Sequence, residues 1–386
     1  MNTFLSIVSL ILIAVGAVYI RQILLFIKGL SQLSPGTNNR QQTIAVIVAA
    51  RNEELHIEQC LRSLLNQEYP RDKYKIVLVD DQSTDQTATI VERLMKENAN
   101  IQLLRLSEKP SDVSPKIFAL SEGIRVSTSD LIFTTDADCM VPTKWLPSIV
   151  KYFDEDVGAV SGVTLFLEGQ KIARLLSEFQ SIDFFSQTAC GAGAIGLNAV
   201  NNCNGSNMAF RRSAFSEAGG YSSIARVNSG SDSLLAQRIV STTHWQMRFA
   251  YEPETHVLTA PLSNWRQLLQ QRMRWAGQTT NYRPSTVVFL IASFLFYLLL
   301  FLFTPISLLY FSLMPIPVIM MTVKFLIDYR IVSRFEKLTG HAVRMKFFFL
   351  SELLHFPVIL IAVFGSFFGS FQWKGRRMER EISQQV

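Results

Sequence analysis

Two apolar stretches, one near each end of the chain, limit what this sequence can become. Phe4 to Ile20, and the residues from about Thr286 onward, reach the roughly 20 apolar positions that a helix needs to cross a bilayer. The composition agrees: of 386 residues, 48% are hydrophobic and only 18% charged, with the apolar excess at the two ends, which excludes an ordinary soluble protein. Between them, short apolar runs alternate with polar segments over about 245 residues, enough for one soluble domain with a full core.

The flanking charges suggest an orientation. No basic residue precedes the first run and no small-residue cleavage site follows it, so it reads as an anchor and not as a removable leader. Arg21 and Lys28 come after it, which by the positive-inside rule puts the central region in the cytoplasm. Toward the other end, Thr286 to Tyr329 has the length of a two-span hairpin broken near Pro305, Pro315 or Pro317, and residues 330–346 form a basic connector expected on the cytoplasmic side. Phe347 to Phe371 is a third apolar run. As a simple span it would leave the basic tail from Trp373 to Arg377 outside, against the same rule; a re-entrant course around Pro357 or Gly365 is the alternative, and four crossings in all are the expectation taken here.

The four cysteines, Cys60, Cys139, Cys190 and Cys203, have no metal-site spacing and suit free thiols in a reducing compartment. A net charge of +6 fits membrane flanks and attraction to anionic lipid or phosphate; aromatics interleaved for nucleic-acid binding are absent from the soluble part.

The central region follows α/β grammar. Thr43 to Ala50 reads as a buried strand ending at Arg51-Asn52-Glu53-Glu54, and Leu55 to Leu65 supplies an apolar helical face closed by Tyr69-Pro70. Lys75 to Val79 is a second strand, its tip running from Asp80 to Asp85 ahead of a helix over Thr87 to Glu97 that Ser83 or Thr84 can cap. Ile101 to Leu106 is a third strand, and Ser114-Pro115-Lys116 opens a helix through Ile124. Leu131 to Phe133 then delivers Asp136 and Asp138 to a strand end. Two carboxylates at such an edge repel unless a cation joins them, and a hard divalent ion carrying phosphate oxygens suits them. The Gly- and Ala-rich stretch from Gln187 to Ala199 reads as a mobile loop.

In this order, Ala49 to Glu54, Gln67 to Pro70, Val77 to Thr87, Thr135 to Asp138, Asn204 to Arg211, Gly230 to Asp232 and Gln271-Arg272-Met273-Arg274-Trp275 resemble the family 2 glycosyltransferases over about residues 43 to 280, and the tail resembles that of lipid-directed, ceramide-glucosyltransferase-like members. The resemblance implies an α/β fold, the GT-A (Rossmann-like) mixed sheet between helices, here with transmembrane helices at both ends. It implies an inverting transferase taking a sugar from a nucleotide-sugar donor, UDP-linked by expectation, to a lipid or glycan hydroxyl, with a processive polysaccharide synthase as the alternative within the family.

Carried onto this chain, the resemblance gives Asp80 to the nucleotide, with Arg51 and Glu53 flanking base and ribose and Lys116 beside the diphosphate. Asp136 meets the ribose and joins Asp138 in holding Mg2+ or Mn2+, with His256 as a further candidate ligand. Asp232, ahead of a helix expected over Ser233 to Val240, becomes the base that takes the acceptor proton. The family's acidic pair is incomplete here, since its first position is Ser231. Gln271, Arg274 and Trp275, on an interfacial helix from Trp265 to Gly277, would cover the diphosphate and stack the acceptor. Asn201 to Phe210 resembles the small-residue turn of the acceptor channel, where glycine lets backbone approach a ligand. The expected organisation is an N-terminal membrane helix over 1–30, a linker over 31–42, a cytoplasmic transferase domain over 43–264, the interfacial helix within 265–285, a membrane region over 286–372 and a basic tail over 373–386. The expected setting is a bacterial inner membrane, with the catalytic domain cytoplasmic.

Overall fold

The computed structural model describes the chain except for residues 1–2, 109, 111–112, 170, 228–229, 278–281, 369–370, 374–375 and 379–386. Lys374 and Gly375 of the basic tail therefore lie outside the described residues. Two compact units form: one collects residues 1–32, 171–197 and 262–371, the other residues 33–170, 198–261 and 372–386.

In chain order, the first apolar run is α1 (Thr3–Leu30). Alternation of buried strands and amphipathic helices then gives β1 (Ile44–Ala50), α2 (Ile57–Leu65), β2 (Tyr74–Asp80), α3 (Thr87–Glu97), β3 (Ile101–Arg105), α4 (Pro115–Arg125) and β4 (Leu131–Asp136). Shorter pieces follow: β5 (Cys139–Met140), α5 (Trp145–Val150), β6 (Val157–Gly162) and β7 (Thr164–Phe166). After α6 (Arg174–Gly196) come β8 (Met208–Arg211), α7 (Arg212–Glu217), α8 (Ser231–Thr242), β9 (Gln246–Ala250) and β10 (Val257–Thr259). The remainder is helical, α9 (Trp265–Ala276), α10 (Pro284–Leu309), α11 (Pro315–Thr339) and α12 (Phe348–Phe368), before a closing two-stranded ribbon of β11 (Phe371–Trp373) and β12 (Arg376–Met378).

The α/β unit is built on a seven-stranded sheet in the order β3-β2-β1-β4-β8-β6-β9. β1 to β4 are parallel, β8 runs against both β4 and β6, and β6 and β9 are parallel to each other. β1 reads as an unbroken apolar run because both its faces are covered. Ile44, Val46 and Val48 share a core with Cys60, Leu61, Leu64 and Val91, while on the other face Ile47 and Val79 press so close to Gly123 of α4 that a Cβ there would stand 2.6 Å from Ile47 Cγ2. The chain proceeds from β1 outward to β3 and returns to place β4 on the opposite side of β1, so strand order reverses at β1. Crevices at such reversals, beyond the carboxyl ends of the strands, are where α/β sheets bind ligands. Register pairs Ala50 with Asp80 and Ala49 with Asp136, bringing both aspartates alongside the end of β1.

In the helical unit, four helices are long and apolar enough to cross a membrane: Thr3–Leu30, Pro284–Leu309, Phe311–Thr339 and Met345–Phe367. The hairpin breaks at Tyr310 to Met314, with Pro315 in the first turn of α11, where its missing N–H costs nothing. Pro305, the other expected breaker, lies inside α10. Residues 348–368 form one unbroken helix through Pro357 and Gly365.

Charge is buried among these helices. Lys324 of α11 is fully buried, donates to Asp328 Oδ2 at 2.8 Å and pairs with Glu352 of α12. Tyr19 of α1 donates to both Asp328 oxygens at 2.9 Å, and the ring of Tyr297 of α10 lies 5.0 Å from Lys324 Nζ. All four long helices thus contribute to one polar knot, the form in which ionisable groups persist at membrane depth.

One expectation is overturned. Gln187 to Ala199 is not a loop: its residues through Gly196 complete α6, which packs on α1 within the helical unit. A Cβ on Gly29 would stand 1.8 Å from the Gly193 carbonyl oxygen, and one on Gly196 would stand 2.1 Å from that of Gly29. Glycines that weaken an isolated helix by about 1 kcal/mol each here let two backbones touch.

Candidate active site

The tips of β1 and β2 are laced together by side-chain to backbone bonds. Asn52, with φ +52°, accepts the Thr84 N–H on its Oδ1 at 2.9 Å while its own N–H goes to Ser83 Oγ at 3.0 Å. Asp85 accepts from Glu54 N at 3.1 Å and from Thr87 N at 3.0 Å, so Asp85, and neither Ser83 nor Thr84, serves the start of α3. Arg51 Nη1 donates to the carbonyls of Asp81 and Gln82 at 2.6 and 3.0 Å, and its guanidinium braces the tip of β2. Glu53 is buried, with its N–H on Thr87 Oγ1 at 2.8 Å. Asp80, the last residue of β2, is buried and accepts from Ser83 N at 3.2 Å.

Asp136 ends β4, half-exposed, with Lys116 Nζ of α4 2.7 Å from its Oδ1. Asp138 follows in the turn before β5. Asp136, Asp138 and Cys139 place ligand atoms within 4.8 Å of one another, the one cluster of this kind among the described residues. Burial first, and then the charge of Asp136, hold the Asp138 carboxyl above its usual range. A cation relieves that crowding, and two carboxylates suit a hard one. Cys139 is a poorer ligand: burial and the two aspartates push its thiol well up, so it stays protonated, and sulfur prefers softer metals. His256 is outside this cluster; its Nε2 lies 3.0 Å from the Tyr251 carbonyl oxygen. His56 stands at the start of α2.

Asp232 lies in the first turn of α8, which begins at Ser231, earlier than the expected Ser233. Its carboxyl sits against the turn before β8: a Cβ on Gly205 would stand 2.0 Å from Asp232 Oδ2. The glycine expected to let backbone approach a ligand lets it approach this carboxylate. Burial raises the Asp232 pKa, Lys116 lowers it and Asp136 raises it, so all three charges feel one another. The turn is rigid. Asn207 Nδ2 donates to the carbonyls of Val163 and Thr255 at 2.7 and 2.8 Å, its Oδ1 accepts from Trp145 Nε1 at 3.0 Å, and Thr134 Oγ1 of β4 donates to Gly205 O at 3.1 Å. The sheet edge thus gathers buried and half-buried carboxylates, a clustered aspartate pair whose chemistry suits a hard cation, and one buried carboxyl held above its ordinary range.

In the helical unit, Gln271, Arg274 and Trp275 stand on α9, all half-buried. The buried residue of that motif is Arg272, paired with Asp183 of α6. Burial alone would raise the Asp183 carboxyl, but Arg272, with His355 and Gln187, brings it down to about 2. Reading the motif for exposed chemistry passes over Arg272, although its i, i+3 spacing to Trp275 was visible.

A mixed sheet of this topology between helices is the GT-A fold. The mannosyltransferase PcManGT of Pyrobaculum calidifontis, solved in complex with GDP-Man and Mn2+, has a similar fold, with a TM-score of 0.61 at 21% identity over 93% of this chain and 99% of that one. Glycosyl transferase family 21 matches residues 8–385, and the chain belongs to that family. It is 28% identical over 239 residues to a beta-monoglucosyldiacylglycerol synthase of Nostoc, covering 60% of this chain and 48% of the relative. It is 30% identical over 247 residues to a probable glycosyltransferase, YdaM, of Bacillus subtilis, covering 60% and 54%. A poly-beta-1,6-N-acetyl-D-glucosamine synthase of Staphylococcus aureus is 27% identical over 241 residues, covering 60% and 53%. The matched region spans about half the length of these relatives. Among the described residues, four long apolar helices suit a membrane protein.

Proposed function

We propose that the chain is an inverting, metal-dependent glycosyltransferase that moves a hexose from a nucleoside-diphosphate sugar, UDP-linked by preference, to a hydroxyl of a membrane lipid. The observation that carries this reading is the mutual electrostatic influence of Asp232, Lys116 and Asp136, with Asp80 and Asp138 on the same sheet edge. Asp80 accepts from the nucleoside, and Arg51 and Glu53 hold the loop around it. Asp136 and Asp138 hold Mg2+ or Mn2+, which supplies charge neutralisation for the leaving diphosphate. Lys116 adds a second positive charge at Asp136. Asp232 takes the acceptor proton as the acceptor oxygen bonds to the anomeric carbon; the carbon–phosphate-oxygen bond breaks on the other face, and the nucleoside diphosphate leaves with that electron pair. A single displacement inverts the anomeric centre. Gln271, Arg274 and Trp275 act on the diphosphate and acceptor side.

The membrane helices and the monoglucosyldiacylglycerol named in the Nostoc relative favour a lipid acceptor. Arg21, Lys28 and the basic connector over 330–346 favour a cytoplasmic catalytic unit. The Mn2+ of the Pyrobaculum complex supports a divalent ion, while its GDP-Man keeps the base open to test.

Purified full-length protein is incubated with Mn2+, a panel of UDP- and GDP-sugars and membrane lipid extract, and nucleoside diphosphate release is followed. Release with one donor, an inverted product by NMR, loss with chelator and a fall of about 100-fold or more in Asp232→Asn are expected. No release with any donor overturns the reading. A labelled product that resists lipid extraction replaces the lipid acceptor with a growing polysaccharide.

A further inference from the structure

Burying an ion pair gains little over packing two apolar side chains, because desolvation offsets the attraction. The Asp183–Arg272 pair is therefore best understood by what it orients. Arg272 and Trp275 share a face of α9, and the guanidinium carbon lies 4.3 Å from the centre of the Trp275 ring, a stacking distance for a planar cation on a π face. Asp183 anchors that guanidinium from α6. Asp183 is itself held, on one oxygen by His355 Nδ1 of α12 at 2.9 Å and on the other by Gln187 Nε2 at 2.9 Å. Phe184, the next residue of α6, brings its ring to 6.2 Å from Trp275. Nε and Nη1 of Arg272 are buried and have no hydrogen-bond partner among the described residues, so the group is committed to the carboxylate and the indole.

We propose that Arg272, locked by Asp183 and His355, is a positioning residue that fixes the ring of Trp275 for the acceptor. This rests on the reading of Trp275 as an acceptor-side residue. Trp275 is only half-buried, so its ring has freedom to lose, and a stacked guanidinium removes it before substrate arrives. A lysine keeps the charge and loses the plane.

Full-length protein in detergent is labelled with 5-fluorotryptophan, and the Trp275 fluorine line is identified by its absence in Trp275→Phe. In Arg272→Lys that line shifts or broadens while the lines of the other tryptophans hold; an unchanged Trp275 line overturns the proposal. This readout needs no turnover, so it decides the matter even if the wild-type protein transfers no sugar and the functional reading itself fails. With UDP-glucose and dioleoylglycerol in mixed micelles, Arg272→Lys raises the acceptor KM about ten-fold and leaves donor KM and acceptor-independent donor hydrolysis near wild type. The double variant with Trp275→Phe is no slower than Trp275→Phe alone. Additive losses, or donor KM rising with the acceptor KM, overturn the proposal. Should Arg272→Lys fail to fold, Asp183→Glu, which keeps the charge and displaces the guanidinium, is read by the same outcomes.

Discussion

The carboxylate of Asp232 rests against the α-carbon of Gly205, so closely that a single methyl on that glycine would stand 2.0 Å from Oδ2. Gly205→Ala must move the carboxylate, since Thr134 and the Asn207 bonds hold the turn. Displacement by about 1 Å costs on the order of 100-fold in rate. Nucleoside diphosphate release should fall by that amount, with the thermal midpoint within a few degrees of wild type.

On the proposed role of Asp232 as base, Lys116 should bear on the acid limb of the rate profile. Burial and Asp136 raise the Asp232 pKa and Lys116 lowers it. Removing the lysine charge in Lys116→Met therefore raises it further, and protonation disables the base at a higher pH. The acidic limb of log kcat/KM should move to higher pH; a limb that stays or moves lower refutes the coupling.

Asp183 gives an acid-side stability signature. Its folded pKa is about 2, against about 3.9 for a free aspartate. A depressed pKa contributes stability that is present above the unfolded value and lost as pH falls toward 2. Asp183→Asn should flatten thermal stability between about pH 4 and 2, where the wild type declines.

The contact of α1 and α6 tolerates no side chain at Gly29 or Gly193. Both obstacles are backbone, so Gly29→Val must force the helices apart. Detergent-solubilised variant should show a sharply reduced monodisperse peak on size exclusion; a wild-type profile would refute the contact.

Lys324 is ion-paired with two buried carboxylates, Asp328 and Glu352. Lys324→Met leaves Asp328 and Glu352 uncompensated and should cost about 3–5 kcal/mol, whereas Lys324→Met with Asp328→Leu and Glu352→Met should recover most of it. Thermal unfolding in one detergent compares the three proteins.

Much of the sheet edge could be read from sequence. β1, β2 and β4 are apolar runs ending in polar tips, α3 begins and ends at the expected Thr87 and Glu97, and the acids stand at those ends because a parallel sheet places all its carboxyl ends together. α6 is not legible in the sequence because glycine and alanine signal flexibility locally, while their use here, backbone contact with α1, depends on a partner about 160 residues away. Arg272 is hidden from a linear reading for the same kind of reason: the carboxylate it meets lies on α6.

The sequence by itself therefore determined the class of fold, the two membrane-length ends and the residue types at the strand tips, since periodicity, length and motif order are properties of the chain read in line. Only the tertiary structure decided that Gly205 faces Asp232, that Lys116 reaches Asp136, that α6 lies on α1 and that Arg272 stacks on Trp275. Those are distances between residues far apart in sequence or between side chains in chosen rotamers, and a linear pattern carries no information about either until packing selects one arrangement.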